Sequence, residues 1–128
     1  MIVVDASAVL AILLREPGFE RYADLLTASG GRISPINHWE VLVGALRELG
    51  GGGVSEVRGL LVALGIETAT LGERDTDAAF EAYRQFGKGN GGPLNLGDCF
   101  AYALAQAEGD GLLFKGNDFP KTDVKPAL

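Results

Sequence analysis

The chain opens MIVVDASAVLAILLREPG (residues 1–18), and the way this stretch divides decides the fold. Ile2-Val3-Val4 is a short apolar, β-branched run, which reads as a strand buried on both faces. Asp5 ends it. From Ser7 to Arg15, the residues Ala8, Leu10, Ala11, Leu13 and Leu14 suit a helix, and Pro17-Gly18 interrupts it. A buried strand passing almost directly into a helix is the beginning of a layered α/β domain.

The rest of the chain continues the alternation. Phe19 to Ala28 predicts a second helix, stopped by Gly30-Gly31, and Arg32-Ile33-Ser34 a second strand. From Asn37 to Leu49, the residues Leu42, Ala45, Leu46 and Leu49 fall at helical spacing. Gly50 to Gly53 then read as a flexible connector, with Ser55 as the N-cap of a helix through Leu64. Ile66 to Leu71 is a third strand candidate, Asp75 to Phe86 an amphipathic helix, and Asn95 to Ala107 a further helix. Leu112 to Phe114 reads as a fourth strand and Thr122 to Val124 as a short fifth. Short strands alternating with helices predict α/β architecture: a three-layer α/β/α sandwich around a central, mainly parallel sheet, in one domain over residues 1–128. Sites in such sheets lie at the carboxyl ends of the strands, so the residues that follow each strand matter most.

Composition narrows the function classes. Apolar residues make up 47% of the chain, too many for a disordered protein. No apolar run reaches the ~18–20 residues of a membrane span, and the first residues lack the basic segment of a signal peptide. The single cysteine, Cys99, forms neither an internal disulfide nor a thiolate zinc cage. These features point to a cytoplasmic protein with no membrane partner. The net charge of −6 argues against generic, charge-driven binding to nucleic acid.

Four acids stand at element junctions. Asp5 ends the first strand, Glu40 lies early in the third helix, Asp98 early in the helix before the fourth strand, and Asp118 just after that strand. Parallel topology can bring all four to one rim. Clustered carboxylates repel one another unless cations neutralise them, and hard ions such as Mg²⁺ or Mn²⁺ prefer oxygen ligands. Two such ions about 3.5–4 Å apart activate a water against a phosphodiester. Each acid also has a purely structural reading. Asp5 or Ser7 suits an N-cap, Asp98 stands three residues after Asn95 as in a capping box, Glu40 complements a helix dipole, and Asp118 suits a turn beside Gly116 and Asn117.

The motifs Ile2-Val3-Val4-Asp5-Ala6-Ser7-Ala8, Glu40, Leu96-Gly97-Asp98-Cys99-Phe100-Ala101-Tyr102-Ala103 and Leu112-Leu113-Phe114-Lys115-Gly116-Asn117-Asp118-Phe119 resemble the PIN-domain ribonucleases, and among them the VapC-type toxins of bacterial toxin–antitoxin pairs. The resemblance spans nearly the whole chain. It implies RNA cleavage with Mg²⁺ or Mn²⁺, with Asp5, Glu40 and Asp98 as catalytic metal-binding acids and Asp118 as a fourth. It implies that Ser7 supports Asp5, and that Asn117 or Asp118 completes the set, since Gly116 occupies a position where many relatives carry Asp or Asn. It further implies a VapB-type antitoxin partner and a homodimer, for which the helices flanking Gly50–Gly53 and residues 79–86 are candidate surfaces. Arg15, Lys115 and Lys121 are candidate RNA contacts. Gly87-Lys88-Gly89-Asn90-Gly91-Gly92 matches G-x-G-x-x-G but follows a helix, so it reads as slack beside the site, with Lys88 near RNA, rather than as a dinucleotide motif. The alternatives are a PIN-like binding protein with weak or lost catalysis and a receiver-like signalling module. The second would need a paired acid beside Asp5, where the sequence has Val4 and Ala6.

Overall fold

Strand β1 (Val3–Val4) is only two residues long, and both are fully buried. Adjacent strand residues point to opposite faces of a sheet, so Val3 feeds one hydrophobic core and Val4 another. Strand β4 (Leu112–Leu113) divides in the same way, Leu112 with Val3 and Leu113 with Val4. The computed structural model, which describes residues 1–128, therefore has three layers. Helices α1 (Ala6–Leu13), α2 (Phe19–Ser29) and α3 (Pro35–Ala63) cover the Val4 face. Helices α4 (Glu73–Phe86) and α5 (Leu96–Glu108) cover the other.

With β2 (Gly31–Ile33) and β3 (Ile66–Thr68), the sheet runs β3-β2-β1-β4. Every pairing is parallel, in the registers Val3 with Arg32, Val3 with Leu112 and Arg32 with Glu67. This is the α/β/α architecture expected. The chain steps outwards from β1 to β2 and β3, then crosses back to place β4 on the other side of β1. The topological switch point thus falls between β1 and β4, and Asp5 and Lys115 lie just beyond their carboxyl ends.

Several boundaries differ from the sequence reading. Helix α3 begins at Pro35 rather than Asn37, because Ser34 is its N-cap and proline suits the first helical position. Strand β3 stops at Thr68 rather than Leu71: after Ala69 N–H donates to Ile33 O at 2.8 Å, the chain leaves the sheet. Thr122–Val124 is not a strand. Phe119–Lys121 forms a 3₁₀ turn and Val124 is buried, while the sheet-edge bonds fall further on, from Leu112 N to Lys125 O and from Ala127 N to Leu112 O, both 2.9 Å. Pro126 pairs there without an N–H, as an edge allows.

The largest correction concerns Gly50–Gly53. They are not a flexible connector. Only Gly50 departs from helical geometry, with φ 72°, and the helix resumes directly after it rather than at Ser55. Val41 and Ala45 before the break pack in the same core as Val57 and Leu61 after it. Gly53 is buried, and a Cβ there would lie 2.9 Å from the Ala45 carbonyl oxygen. The four glycines therefore predict opposite responses to alanine. Gly51→Ala, at a helical position with open space around it, is expected to stabilise the fold by about 0.5–1 kcal/mol. Gly50→Ala is expected to destabilise it by about 1 kcal/mol or more, because its φ is left-handed. Thermal unfolding of the two variants checks the difference in sign; equal effects would restore the flexible connector.

Candidate active site

Asp5 leaves β1 and becomes the N-cap of α1, so the strand end and the helix start meet on one residue. Its backbone N–H donates to Leu113 O at 2.9 Å, which ties it across the switch point to β4. Its Oδ2 accepts from Ser7 N at 3.0 Å and from Ser7 Oγ at 2.5 Å. Ser7 Oγ in turn accepts from Lys115 N at 3.0 Å. The hydroxyl proton is thereby committed to Asp5, and the serine clamps the acid between β1, α1 and the segment after β4.

Glu40 is held by residues that the sequence reading passed over. Ser34 caps α3 by accepting from Asn37 N at 3.0 Å, and its hydroxyl donates to Asn37 Oδ1 at 2.5 Å. Asn37 is fully buried. Its Nδ2 donates to Glu40 Oε1 at 2.8 Å and to the Gly97 carbonyl of α5 at 3.0 Å. One amide thus ties Glu40 to the start of α5. Gly97 leaves the space the carboxylate needs, since a Cβ there would lie 2.3 Å from Glu40 Oε2. The signals were present in Ser34-Pro35-Ile36-Asn37, a hydroxyl cap with a polar residue three positions on, and in the glycine directly before Asp98.

Asp98 forms the predicted capping box with Asn95. Asp98 N donates to Asn95 Oδ1 at 2.9 Å, and Asn95 N donates to Asp98 Oδ2 at 3.0 Å. The structural readings of Asp5 and Asp98 are therefore both real, and they orient the acids rather than compete with a chemical role.

Electrostatically these acids form one group. Burial raises the carboxyl of Asp5 above its ordinary value despite the hydrogen bonds from Ser7, and Glu40 raises it further. Burial also raises Glu40, opposed by Asn37 and reinforced by Asp98. Asp98 is pushed up to about 6, first by burial, with Asp5 and Asp118 adding repulsion and Lys88 relieving part of it. Asp118 is exposed, just before the 3₁₀ turn, and its charge reaches Asp98.

The donor set is all oxygen, buried or half-buried, mutually repulsive, and relieved by one lysine. That chemistry fits a hard divalent cation. The side chains as placed do not converge into a coordination cage of three or more His, Cys, Asp or Glu. Asn117 is exposed next to Asp118. Of the three RNA-contact candidates, Lys115 holds Glu16 at 2.9 Å. Arg15 lies at the opposite end of α1 from Asp5, in a cleft with Phe19, Glu56 and Leu60. Lys121 borders a polar cleft beside Asn90–Pro93. The structure does not gather these three at the acid rim.

Comparison with known proteins gives the same picture. The PIN domain family matches residues 2–125. A VapC ribonuclease of Mycobacterium bovis is 39% identical over 129 residues, covering 98% of this chain and 98% of that protein. A VapC ribonuclease of Rhizobium meliloti is 36% identical over 145 residues, covering 94% of this chain and 97% of that one. Among solved structures, the VapC20 toxin of Mycobacterium tuberculosis, described as cleaving the sarcin–ricin loop, matches 97% of this chain and 96% of its own. Its TM-score is 0.74 at 15% identity, a likeness of fold. With Asp5 directly after β1, Glu40 on α3, Asp98 in the first turn of α5 and matches that run almost end to end, the receiver-like alternative gives way, and the chain belongs to the PIN-domain family, within its VapC group.

Proposed function

We propose that this chain is an endoribonuclease that cleaves RNA phosphodiester bonds with Mg²⁺ or Mn²⁺, as the toxin of a toxin–antitoxin pair. The observation that carries the reading is the coupled acid rim at the switch point, Asp5, Glu40 and Asp98, in a chain whose full-length relatives are named VapC ribonucleases. Asp5, Glu40 and Asp98 would hold the metal, with Asp118 as a fourth acid at the exposed margin. A bound divalent cation supplies Lewis acidity, which activates a water and offsets charge developing on the phosphate. The remaining work belongs to the chain. Ser7 fixes the Asp5 carboxylate, Asn37 fixes Glu40, and the capping box fixes Asp98. Preset acids lose little freedom when substrate arrives.

The expected partners are an RNA substrate, a VapB-type antitoxin and a second copy of the chain. Leu46, Leu49 and Val62 on α3, and Phe80 and Tyr83 on α4, are exposed apolar residues on the two surfaces read from the sequence. No helix is long and apolar enough to cross a membrane.

The direct test maps cut sites in total RNA with Mg²⁺ or Mn²⁺ present. Asp5→Asn and Asp98→Asn are each expected to abolish cleavage, with the fold intact by circular dichroism. Full activity in either would remove the assignment. Gly97→Ala tests the cradle. Its Cβ would drive the Glu40 carboxylate aside, and the flexible glutamate can swing away without disturbing the backbone. Cleavage is expected to fall by at least about tenfold, or roughly 1.4 kcal/mol of transition-state stabilisation, with little loss of melting temperature.

The raised carboxyls also predict an unusual pH response. The folded chain holds protons at these acids more tightly than the unfolded chain does. Their contribution to stability is therefore fullest below about pH 4 and is lost as pH rises through about 6, the value for Asp98. Without metal, Asp98→Asn is expected to melt a few degrees above the wild type at about pH 7.5, and the gap should close towards about pH 4. Added Mn²⁺ should raise the wild-type melting temperature at the higher pH and leave Asp98→Asn nearly unmoved. A variant less stable than wild type throughout would mean that the acid is not under strain.

A further inference from the structure

The glycine-rich segment Gly87–Gly92 has no place in the mechanism above, and its geometry is not that of slack chain. Lys88–Asn90 forms a 3₁₀ turn pinned to α4 and to the residue before the α5 cap. Gly89 N–H donates to Tyr83 Oη at 3.1 Å, and Asn90 Nδ2 donates to Tyr83 O at 3.3 Å. Lys88 N–H donates to Leu94 O at 3.0 Å, while Leu94 N–H donates to Phe86 O at 2.9 Å. Leu94 is fully buried and directly precedes Asn95, which forms the capping box with Asp98.

Backbone contacts require glycine at 87 and 92, and the Tyr83 hydroxyl presses on Gly89. A Cβ at Gly87 would lie 2.5 Å from Tyr83 O, one at Gly89 2.4 Å from Tyr83 Oη, and one at Gly92 2.0 Å from Phe86 O. The turn is thus pressed against α4 by residues without side chains. The side chain that it leaves free is Lys88, which is exposed. The chain's ion pairs engage the N-terminal amine, Arg32, Arg84 and Lys115, and Lys88 stands outside them.

We propose that Lys88, presented by this pinned turn beside the start of α5, is the residue that receives a phosphate of the RNA backbone at the acid rim. The inference rests on the ribonuclease reading and adds a substrate-binding residue to it. A polyanion approaching clustered carboxylates is repelled, and a divalent ion answers only for the phosphate it touches. A neighbouring phosphate needs a fixed cation of its own, and backbone phosphate contacts of this kind set the register of a strand. Lys88 meets the requirement in three respects: it is unpaired, it is carried on a rigid turn, and the turn is clipped to the residue before the cap that orients Asp98.

The test is cleavage of a labelled mixed-sequence RNA pool with Mn²⁺ over a series of salt concentrations, using the full chain. For Lys88→Ala, kcat/KM is expected to fall about tenfold near physiological salt, mainly through KM. The plot of log kcat/KM against log salt is expected to flatten by about 0.7, the single-strand value for one phosphate contact. Lys88→Arg should restore both. The melting temperature and its increase with Mn²⁺ should match wild type, which a merely structural lysine would not guarantee. Wild-type cleavage with an unchanged KM and salt slope in Lys88→Ala would overturn the proposal for Lys88 alone. Failure of the wild type to cleave any RNA would overturn it together with the ribonuclease reading.

Discussion

Burial of the carboxylates of Asp5, Glu40 and Asp98, with their mutual repulsion added to it, is the constraint around which the rest of the molecule is arranged. Left to themselves, three flexible acids would turn outwards to water, where their charges are screened and solvated. Here each is anchored by neutral donors that lower the cost of the anion without cancelling its charge. Ser7 gives Asp5 an O–H and an N–H, Asn37 gives Glu40 an amide, and Asn95 gives Asp98 a backbone N–H. Burial nevertheless wins over hydrogen bonding at all three positions, because each carboxyl ends above its ordinary value. The fold therefore carries an electrostatic debt at the switch point that its own side chains do not settle.

The anchoring residues also bind the layers together. Asn37 belongs to α3 on one face of the sheet, and its amide reaches the carbonyl of Gly97 on α5, which packs on the other. Ser7 joins α1 to the backbone after β4. With strands of two or three residues, the sheet has few ladder bonds of its own. These polar links at its carboxyl end hold the helices in register around the acids. Positioning the site and closing the top of the sandwich are consequently one structural task.

The sequence made the alternation of elements legible because strand runs such as Val3-Val4 and Leu112-Leu113 are continuous and apolar, and because the helices between them keep a regular apolar period. It also located Asp5 and Asp98, since each stands at a cap whose chemistry is local. Glu40 was harder to place, because its environment depends on Gly97 as well as on Asn37 and Ser34, and Gly97 joins them only once α3 and α5 pack. The glycine segments misled for a related reason. Composition cannot distinguish a glycine that loosens the chain from one that lets two backbones touch. Gly50 turns the helix, Gly53 admits the carbonyl of Ala45, and Gly89 admits the ring of Tyr83, none of which the glycine count alone reveals. The same limit applied to the cations, where Lys115 looked available until Glu16 was found beside it.

The surplus of acids, which argued against a nucleic-acid partner, takes on a different meaning in three dimensions. Surface charges further apart than a Debye length, about 8 Å at physiological ionic strength, scarcely act on one another. Glu73, Asp75 and Glu81 along α4 contribute to the net charge of −6, and none of them is among the charges that shift Asp5, Glu40 or Asp98. What an approaching phosphate meets is the local balance of Asp5, Glu40, Asp98 and Asp118 against Lys88. Without added cations, that balance repels RNA. On the proposed reading, divalent cations held there would reverse it over a small area, so that admission of the substrate and its cleavage would depend on the same ions. A protein partner bearing a cationic side chain could occupy that field as well. If the rim holds metal as proposed, the charge that serves cleavage would also attract an inhibitor when metal is absent, and one electrostatic arrangement would serve both catalysis and its restraint.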